Sequence, residues 1–171
     1  PPERRTITSG CGGGVSFKTQ VEKVDSDIHV TPAEVLSLMR EFRKCMELYR
    51  ISGGVHAAAL CDKQKIVVIS EDIGRHNTLD KIQGECLLRE IPTKDKLLLT
   101  TGRVSSEMLI KAAKMKVPVV VSHRLPTKAA IELADELCIT LIGRARASHL
   151  SVYTHRYRIV SNRRAKNTDR K

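Results

Sequence analysis

One cysteine lies in a segment composed almost entirely of glycine, and it is the first candidate for covalent chemistry. Cys11 follows Gly10 and is followed by the three glycines of residues 12–14. Glycine backbones move widely and let another molecule approach closely, and the nearby Arg4 and Arg5 favour the reactive thiolate. The pattern predicts a reactive thiol, although a small residue in a tight turn would have the same neighbours. The other four cysteines fall on predicted apolar faces or strands and are predicted to be inert: Cys45, Cys61, Cys86 and Cys138.

Polar residues also cluster at three turns that follow predicted strands. These turns are Glu71–Asn77, Thr100–Ser106 and Gly143–Ser151. The second turn leads into a predicted helix, where free N–H groups and the helix dipole favour a phosphate group. Arginine adds bidentate hydrogen bonds to such an anion. The candidate contacts in the three turns are Asp72, Arg75, His76, Gly102, Arg103, Ser105, Arg144, Arg146 and His149.

Two interpretations of these turns compete. Ligands of open α/β sheets bind outside the carboxyl ends of the strands, so three basic turns in one small sheet predict an anion or nucleotide-phosphate site. The alternative for each turn is helix capping with solvated charge. Glu71, Asp72, Arg75 and His76 have a similar alternative, because they form either an interior salt bridge or contacts for proton handling, ribose or base. Neither a Walker loop nor a GxGxxG segment after a strand occurs.

The elements that must position these residues are predicted from apolar periodicity. Residues 15–21 alternate apolar and polar side chains, as in a half-exposed strand. Thr31, Pro32 and Glu34 form a capping-box start for a helix whose apolar face continues to Tyr49. The remaining predicted elements are a hairpin (56–61 and 66–70), a helix over 79–87, a strand (96–101), a helix from 105, a strand (117–121), a helix (127–137) and a strand (138–142). This order predicts a mixed sheet, parallel in its second half and flanked by helices.

Composition limits the class of protein. The chain has 171 residues, 41% of them hydrophobic, which predicts one folded domain with a real core. Lys and Arg number 30 against 19 acids, a net charge of +11 that favours an anionic partner. No stretch is long and apolar enough to span a bilayer, and the scattered cysteines suit a reduced, cytoplasmic setting. Residues 161–171 are basic and are predicted to be a disordered tail.

Several longer motifs resemble those of the FdhD family, the formate dehydrogenase accessory sulfurtransferases. The glycine-rich cysteine segment is followed by Gly53–Ala59 and by Glu71–Lys81, and the latter is long enough to be specific. Further matches are Gly102–Met108, Pro126–Thr127, Ala134–Glu136 and Val152–His155. The resemblance covers residues 1–160 and implies a three-layer α/β/α sandwich similar to the cytidine deaminases. It also suggests that the family's N-terminal segment is absent.

The same resemblance implies a function. A cysteine desulfurase would pass a persulfide to Cys11, and the sulfur would go on to the molybdenum or tungsten of a bis-molybdopterin guanine dinucleotide required by formate dehydrogenase. Guanine nucleotides would then mimic the bound cofactor. The cofactor-binding stretch of the family corresponds to Arg144, Ala145, Arg146, Ala147, Ser148 and His149, and His56 is a further predicted contact. A homodimer is compatible with the resemblance, while no zinc, membrane or specific nucleic acid is expected.

This chain departs from the family pattern at two positions. Many members carry a second cysteine three residues after the first, whereas Gly14 stands there in this chain. A relay between two loop cysteines is therefore excluded, but persulfide formation needs only one thiolate. Arg144 also replaces a residue that is commonly aromatic in the family.

Three other functions are alternatives to sulfur transfer. A zinc deaminase needs H-x-E and P-C-x-x-C, but Ala58 stands where the acid of His56-Ala57-Ala58 would be, and no P-C-x-x-C occurs. A nucleic-acid-binding module would agree with the pI of about 9.7, but the chain lacks stacking aromatics and a helix-turn-helix signal. A chaperone without sulfur chemistry would keep the cofactor pocket and use Cys11 only as a hinge residue.

Overall fold

The computed structural model describes residues 21–146 and 148–161, together with the backbone of two short strands before them. These strands, β1 (Arg5–Ile7) and β2 (Val15–Phe17), pair in antiparallel fashion. The later elements are α1 (Pro32–Cys45), α2 (Glu47–Ser52), β3 (His56–Cys61), β4 (Ile66–Asp72), α3 (Arg75–Leu88), β5 (Leu97–Thr100), α4 (Ser106–Lys114), β6 (Val119–Ser122), α5 (Lys128–Glu136), β7 (Thr140–Arg146), β8 (His149–Val152) and a 3-10 helix (Arg156–Arg158).

Six of the strands form one mixed sheet in the order β4-β3-β5-β6-β7-β8. The pairs β5-β6 and β6-β7 are parallel, and the other three pairs are antiparallel. The carboxyl ends of β4, β5, β6 and β7 therefore lie at the same edge, beside the start of β3 and the start of β8. We call this side the carboxyl edge. The predicted mixed sheet with a parallel second half is confirmed.

Helices cover both faces of the sheet. On one face, α3, α4 and α5 pack side by side, and buried residues such as Leu79, Leu109 and Ala134 meet Leu98 and Val120 of the strands. On the other face α1 supplies a second apolar cluster with the opposite side chains of the strands: Val35, Leu38, Met39 and Phe42 against Ala57, Ala59, Leu97, Leu99, Val119 and Val121. The predicted α/β/α sandwich is confirmed, while the likeness to cytidine deaminases stays a prediction.

The start of α1 is built as its sequence predicts. Thr31 Oγ1 accepts a hydrogen bond from the Glu34 amide at 3.2 Å, and the Glu34 carboxylate accepts one from the Thr31 amide at 2.6 Å. Pro32 occupies the first turn, where its missing N–H is not needed. The reciprocal pair satisfies two amides that helix geometry leaves without partners, and so fixes where α1 begins.

The end of this helical region differs from the prediction. The chain breaks at Met46 (φ −81°, ψ 86°), and Tyr49 belongs to the separate helix α2. The cause is the carboxylate of Glu71 at the end of β4, which accepts hydrogen bonds from the amides of Leu48 (3.0 Å) and Tyr49 (2.7 Å). This contact gives the second helix its own capped start.

The segment after residue 142 also differs from the prediction. Instead of a turn that follows the last strand, β7 continues to Arg146 and the chain returns as β8, with Gly143 opposite Ser151. A β-carbon at Gly143 would lie 3.0 Å from the Arg124 carbonyl, from Pro126 and from Tyr153, so glycine alone fits this close approach. The prediction that β4 ends at Ser70 is similarly short, since β4 includes Glu71 and Asp72. The other predicted strands and helices after residue 95 are present with ends shifted by one or two residues, whereas α3 begins at Arg75, four residues before the predicted start at residue 79.

Both ends of the chain lie partly outside the described residues. The predicted strand over 15–21 is present as β2 over residues 15–17; residues 18–20 lie outside the described part, and Val21 is not in a strand. Of the tail predicted over residues 161–171, residues 162–171 lie outside the described part. No helix in the described part of the chain combines the length and the apolar character that crossing a bilayer requires.

A buried arginine joins the segment before α1 to the start of β7. Arg158 is 1% exposed and donates hydrogen bonds to the carbonyls of Ser26 (3.3 Å) and Cys138 (2.7 Å) and to Thr140 Oγ1 (3.3 Å). Replacing Arg158 with alanine removes these donors and leaves buried acceptors without partners.

We therefore expect Arg158→Ala to lower the free energy of unfolding by about 3 kcal/mol, measured by urea denaturation. Arg156→Ala is the matched control, because Arg156 is exposed and should change the free energy of unfolding by at most about 0.5 kcal/mol. Equal losses in the two variants would contradict a stabilising role for the buried guanidinium.

Candidate functional site

A cleft with two adjoining lobes opens at the carboxyl edge of the sheet. The His123 lobe has a volume of about 400 Å³ and is lined by Arg43, Met46, Tyr49, Arg50, Thr101, His123, Arg124 and Arg146. The His56 lobe has a volume of about 410 Å³ and is lined by Tyr49, Gly53, Gly54, Val55, His56, Arg75, Thr101, Gly102, Arg103 and Arg124. Tyr49, Thr101 and Arg124 line both lobes, so the two volumes form one continuous site.

The charge of this cleft has a single sign. Six arginines line it, and among the described lining residues neither lobe has an aspartate or a glutamate. Within the described residues, none of these six guanidinium groups forms an ion pair. Guanidinium groups bind carboxylates and phosphates bidentately, and a concave surface of one sign concentrates the opposite charge. The cleft therefore suits a ligand with several negative charges. The six arginines are Arg43, Arg50, Arg75, Arg103, Arg124 and Arg146.

The two histidines of the cleft are held in the neutral form. Burial, followed by the charges of Arg75 and Arg124, lowers the pKa of His56. Burial, followed by the charges of Arg43, Arg146 and Arg124, lowers the pKa of His123 to about 4. Each neutral imidazole keeps one nitrogen that accepts a hydrogen bond and one that donates.

The floor of the His56 lobe is built around Gly102. Thr101 joins the end of β5 to the start of β3, because Thr101 Oγ1 accepts from the Ala57 amide at 3.0 Å. A β-carbon at Gly102 would lie 3.1 Å from Cβ of Arg75 and 3.6 Å from Nδ1 of His56, so the glycine lets these side chains approach. His56 Nδ1 and Arg75 Nε are buried and have no hydrogen-bond partner among the described residues. Both nitrogens are therefore buried polar atoms without a partner in the described part of the chain, on two residues that line this lobe.

The backbone of Arg124, a residue that lines both lobes, is held by two hydrogen bonds. Its amide donates to Ser122 Oγ at 2.9 Å, and its carbonyl accepts from the Arg144 amide at 3.3 Å. Arg144 itself lies in β7 with φ +52° and an exposed side chain. Arg144 therefore contributes to the cleft through its backbone, by holding the loop that carries Arg124.

Five of the predicted contacts come together in the cleft: His56, Arg75, Gly102, Arg103 and Arg146. Ser105 is the N-cap residue of α4, with its buried hydroxyl unpaired among the described residues, and it does not line either lobe. Ala145 is fully buried in the apolar cluster beneath α1. Ser148 and His149 lie at the turn into β8, where His149 is exposed. Cys11 and Ala147 lie outside the described residues.

Asp72 and His76 are predicted contacts that the structure places in other interactions. The Asp72 carboxylate lies 2.6 Å from Lys81 Nζ and accepts hydrogen bonds from the Gly74 amide and the Asn77 side chain. These bonds, Lys81 first, lower the pKa of Asp72 to about 2. His76 Nε2 lies 3.1 Å from Glu107 Oε2, within ion-pair distance but without hydrogen-bond geometry. Both arrangements favour the alternative in which these residues stabilise the α3 region.

Several lining residues were absent from the sequence prediction. His123 and Arg124 directly follow β6, so the rule that selected the other turns was sufficient to find them. Arg43, Tyr49 and Arg50 come from α1 and α2, which reach the carboxyl edge from the opposite layer. No local pattern in the sequence marks those three residues.

Fold and cleft together define an α/β/α protein with an arginine-lined cleft at the carboxyl edge of a mixed sheet. Comparison with known proteins specifies this class further, because the family model FdhD/NarQ matches residues 2–160. The chain belongs to the FdhD/NarQ family, which confirms the resemblance found in the sequence.

Individual relatives agree with this assignment. The chain is 46% identical over 162 residues to a sulfur carrier protein FdhD of Bacillus licheniformis, covering 91% of this chain and 61% of the relative. It is 44% identical over 161 residues to the sulfur carrier protein FdhD of Bacillus subtilis, covering 91% and 62%. A solved formate dehydrogenase accessory protein from Desulfotalea psychrophila superposes with a TM-score of 0.76 at 29% identity, covering 81% of this chain and 60% of that one. The chain thus spans about three fifths of the length of the curated relatives that it matches.

Proposed function

We propose that this protein is a sulfur carrier that serves formate dehydrogenase. In this proposal Cys11 receives sulfur from a cysteine desulfurase as a persulfide and delivers it to the metal of a bis-molybdopterin guanine dinucleotide. The names of the relatives support the sulfur-carrier and accessory roles. The proposal includes a cytoplasmic setting, which the scattered cysteines favour, and a homodimer, which follows from the family resemblance.

The observation that carries this proposal is the charge of the cleft. Six arginines line two adjoining volumes of about 400 and 410 Å³, and no carboxylate is among the lining residues that the structure describes. Volumes of this size are typical of sites for nucleotide-sized ligands. A dinucleotide carries anionic groups at separate places along its length. Because Arg124 lines both lobes, its guanidinium can contact anionic groups of the ligand in either lobe. The cleft therefore fits a dinucleotide client better than a small monoanion.

Loading of sulfur requires one thiolate from this chain. The Cys11 thiolate attacks the outer sulfur of the persulfide on the desulfurase, a new S–S bond forms, and the desulfurase cysteine leaves as a thiolate. The number of sulfur atoms and electrons is unchanged, because the outer sulfur passes from one cysteine to the other. Since Gly14 replaces the second loop cysteine, the sulfur must stay on Cys11 until it is delivered.

A persulfide assay tests the proposal directly. The purified chain is incubated with a cysteine desulfurase and cysteine, alkylated, digested and analysed by mass spectrometry. We expect one additional sulfur atom on the peptide that contains Cys11 and no addition on the peptide with Cys45, although the Cys45 thiol is exposed. An unmodified Cys11 peptide, with guanine-nucleotide binding retained, would instead support a cofactor-binding chaperone without sulfur chemistry.

A further inference from the structure

His123 has an unusual set of neighbours in the cleft. Its Nδ1 lies 3.5 Å from Nη2 of Arg43, and its amide donates to the Thr100 carbonyl at 3.3 Å. A guanidinium group has donors and no acceptor. A hydrogen bond from Arg43 needs an unprotonated Nδ1 as its acceptor, so this contact favours the neutral tautomer with hydrogen on Nε2.

The groups that face His123 come from every element around its lobe. Arg43 comes from α1, Tyr49 and Arg50 come from α2, Arg124 is the next residue in the loop after β6, and Arg146 comes from β7. None of these groups is a carboxylate that would stabilise an imidazolium. Burial and the charges of Arg43, Arg146 and Arg124 accordingly lower the pKa of His123 to about 4. Among the described lining residues of this lobe, His123 is the one that is neutral at neutral pH in the free protein and can still accept a proton to become a cation.

We propose that a phosphate-bearing polyanion bound in the His123 lobe causes His123 to take up one proton from solvent and become a cationic contact of that anion. A bound phosphate offers acceptors to Arg43, so this guanidinium no longer needs Nδ1 as a partner. The same phosphate compensates the charges of Arg43, Arg146 and Arg124, which after burial are the causes that keep the imidazole neutral. Once Nδ1 is protonated, it donates to the phosphate. The inference rests on the proposed function, because it takes the dinucleotide client as the natural polyanion.

Linkage determines the direction of the pH effect. A pKa that rises on binding means that the bound state holds more protons than the free state, so affinity falls as the pH rises. One coupled proton changes the dissociation constant by at most about ten-fold per pH unit. The affinity changes with pH only between the pKa of His123 in the free protein, about 4, and its higher pKa in the bound state.

The probe for this inference is guanosine diphosphate, titrated calorimetrically into the full chain near pH 6 in two buffers with different heats of ionisation. We expect the wild-type chain to take up more protons than His123→Gln, with a difference approaching one proton per bound nucleotide. Protonation of the nucleotide's own phosphate is common to both proteins and cancels in the difference. His29→Gln is the matched control, because His29 is exposed and lines neither lobe, and its proton uptake should equal that of the wild type.

The outcomes separate this inference from the proposed function. Nucleotide binding with equal proton uptake in wild type and His123→Gln overturns the inference and leaves the sulfur-carrier proposal intact. Absence of nucleotide binding to the wild type overturns both. If the variant does not fold, the wild type is titrated with pH and the imidazole proton resonances are followed by NMR. The titration midpoint of His123 must then rise from about 4 when the nucleotide is present. An unchanged midpoint overturns the inference.

Discussion

A Cys11→Ala variant is expected to leave formate dehydrogenase inactive in cells that have no other copy of this protein. The expected loss is complete, because Gly14 occupies the position of the second loop cysteine and no neighbouring thiol can receive the sulfur. Two of the other four thiols are unsuitable for physical reasons. Cys61 is fully buried, and burial raises its pKa to about 12, while burial also raises the pKa of Cys86. Thiols with raised pKa values have little thiolate at neutral pH and react slowly with a persulfide.

The measurement is formate dehydrogenase activity in extracts, combined with guanosine diphosphate binding to the purified variant. Cys45→Ala is the matched control, since Cys45 is exposed at the end of α1 and lines neither lobe. We expect the control to retain both properties, and Cys11→Ala to retain nucleotide binding alone. Normal dehydrogenase activity with Cys11→Ala would contradict sulfur transfer and favour the chaperone alternative.

Local signals with a clear mechanism predicted most of the fold. The capping box of Thr31 and Glu34 fixes a helix start through hydrogen bonds within four residues. The apolar runs at 97–99 and 119–121 are strands buried on both faces, and such strands have no polar side to alternate with. Since a parallel sheet needs helices across both faces, these runs were enough to predict the layered architecture.

Interactions between distant residues account for the errors. The break between α1 and α2 depends on the Glu71 carboxylate, which reaches the amides of Leu48 and Tyr49 from another strand. The extension of β7 depends on its pairing with β8 and on the close approach of Arg124 to Gly143. Neither contact leaves a periodic pattern in the sequence. A local rule therefore predicts one long helix where α1 and α2 are separate, and a turn where β7 continues.

The candidate site was predicted in part for the same reasons. Three of the lining residues follow β4 or β5: Arg75, Gly102 and Arg103. The carboxyl ends of these two strands lie at the same edge of the sheet, so the topology alone predicts that the three residues lie close together. Arg43 and Arg50 enter the cleft because α1 and α2 cover the opposite face. Their contribution depends on where those helices end relative to the sheet, and that position is decided by packing between layers.

Arg124→Glu is expected to have the largest effect on anion binding. Arg124 is the one arginine that lines both lobes, and its backbone is fixed by Ser122 and by the Arg144 amide. A hydrogen bond between charged groups contributes about 1.5–3 kcal/mol, and the new carboxylate adds repulsion to both anionic groups. We expect the dissociation constant for guanosine diphosphate to rise at least about 100-fold. Because the side chain is exposed, the free energy of unfolding should change by at most about 0.5 kcal/mol.

Lys63→Glu provides the matched control for charge, measured in the same calorimetric titration. Lys63 is exposed in the turn between β3 and β4, at the edge opposite the cleft, and its substitution changes the net charge by the same amount. If long-range attraction by the net charge of +11 were the source of affinity, both variants would lose it equally, and added salt would abolish the difference. If instead Arg124 contacts the anion, the loss should be confined to Arg124→Glu and should persist at high ionic strength. A loss of equal size in Lys63→Glu would therefore contradict a site at the carboxyl edge.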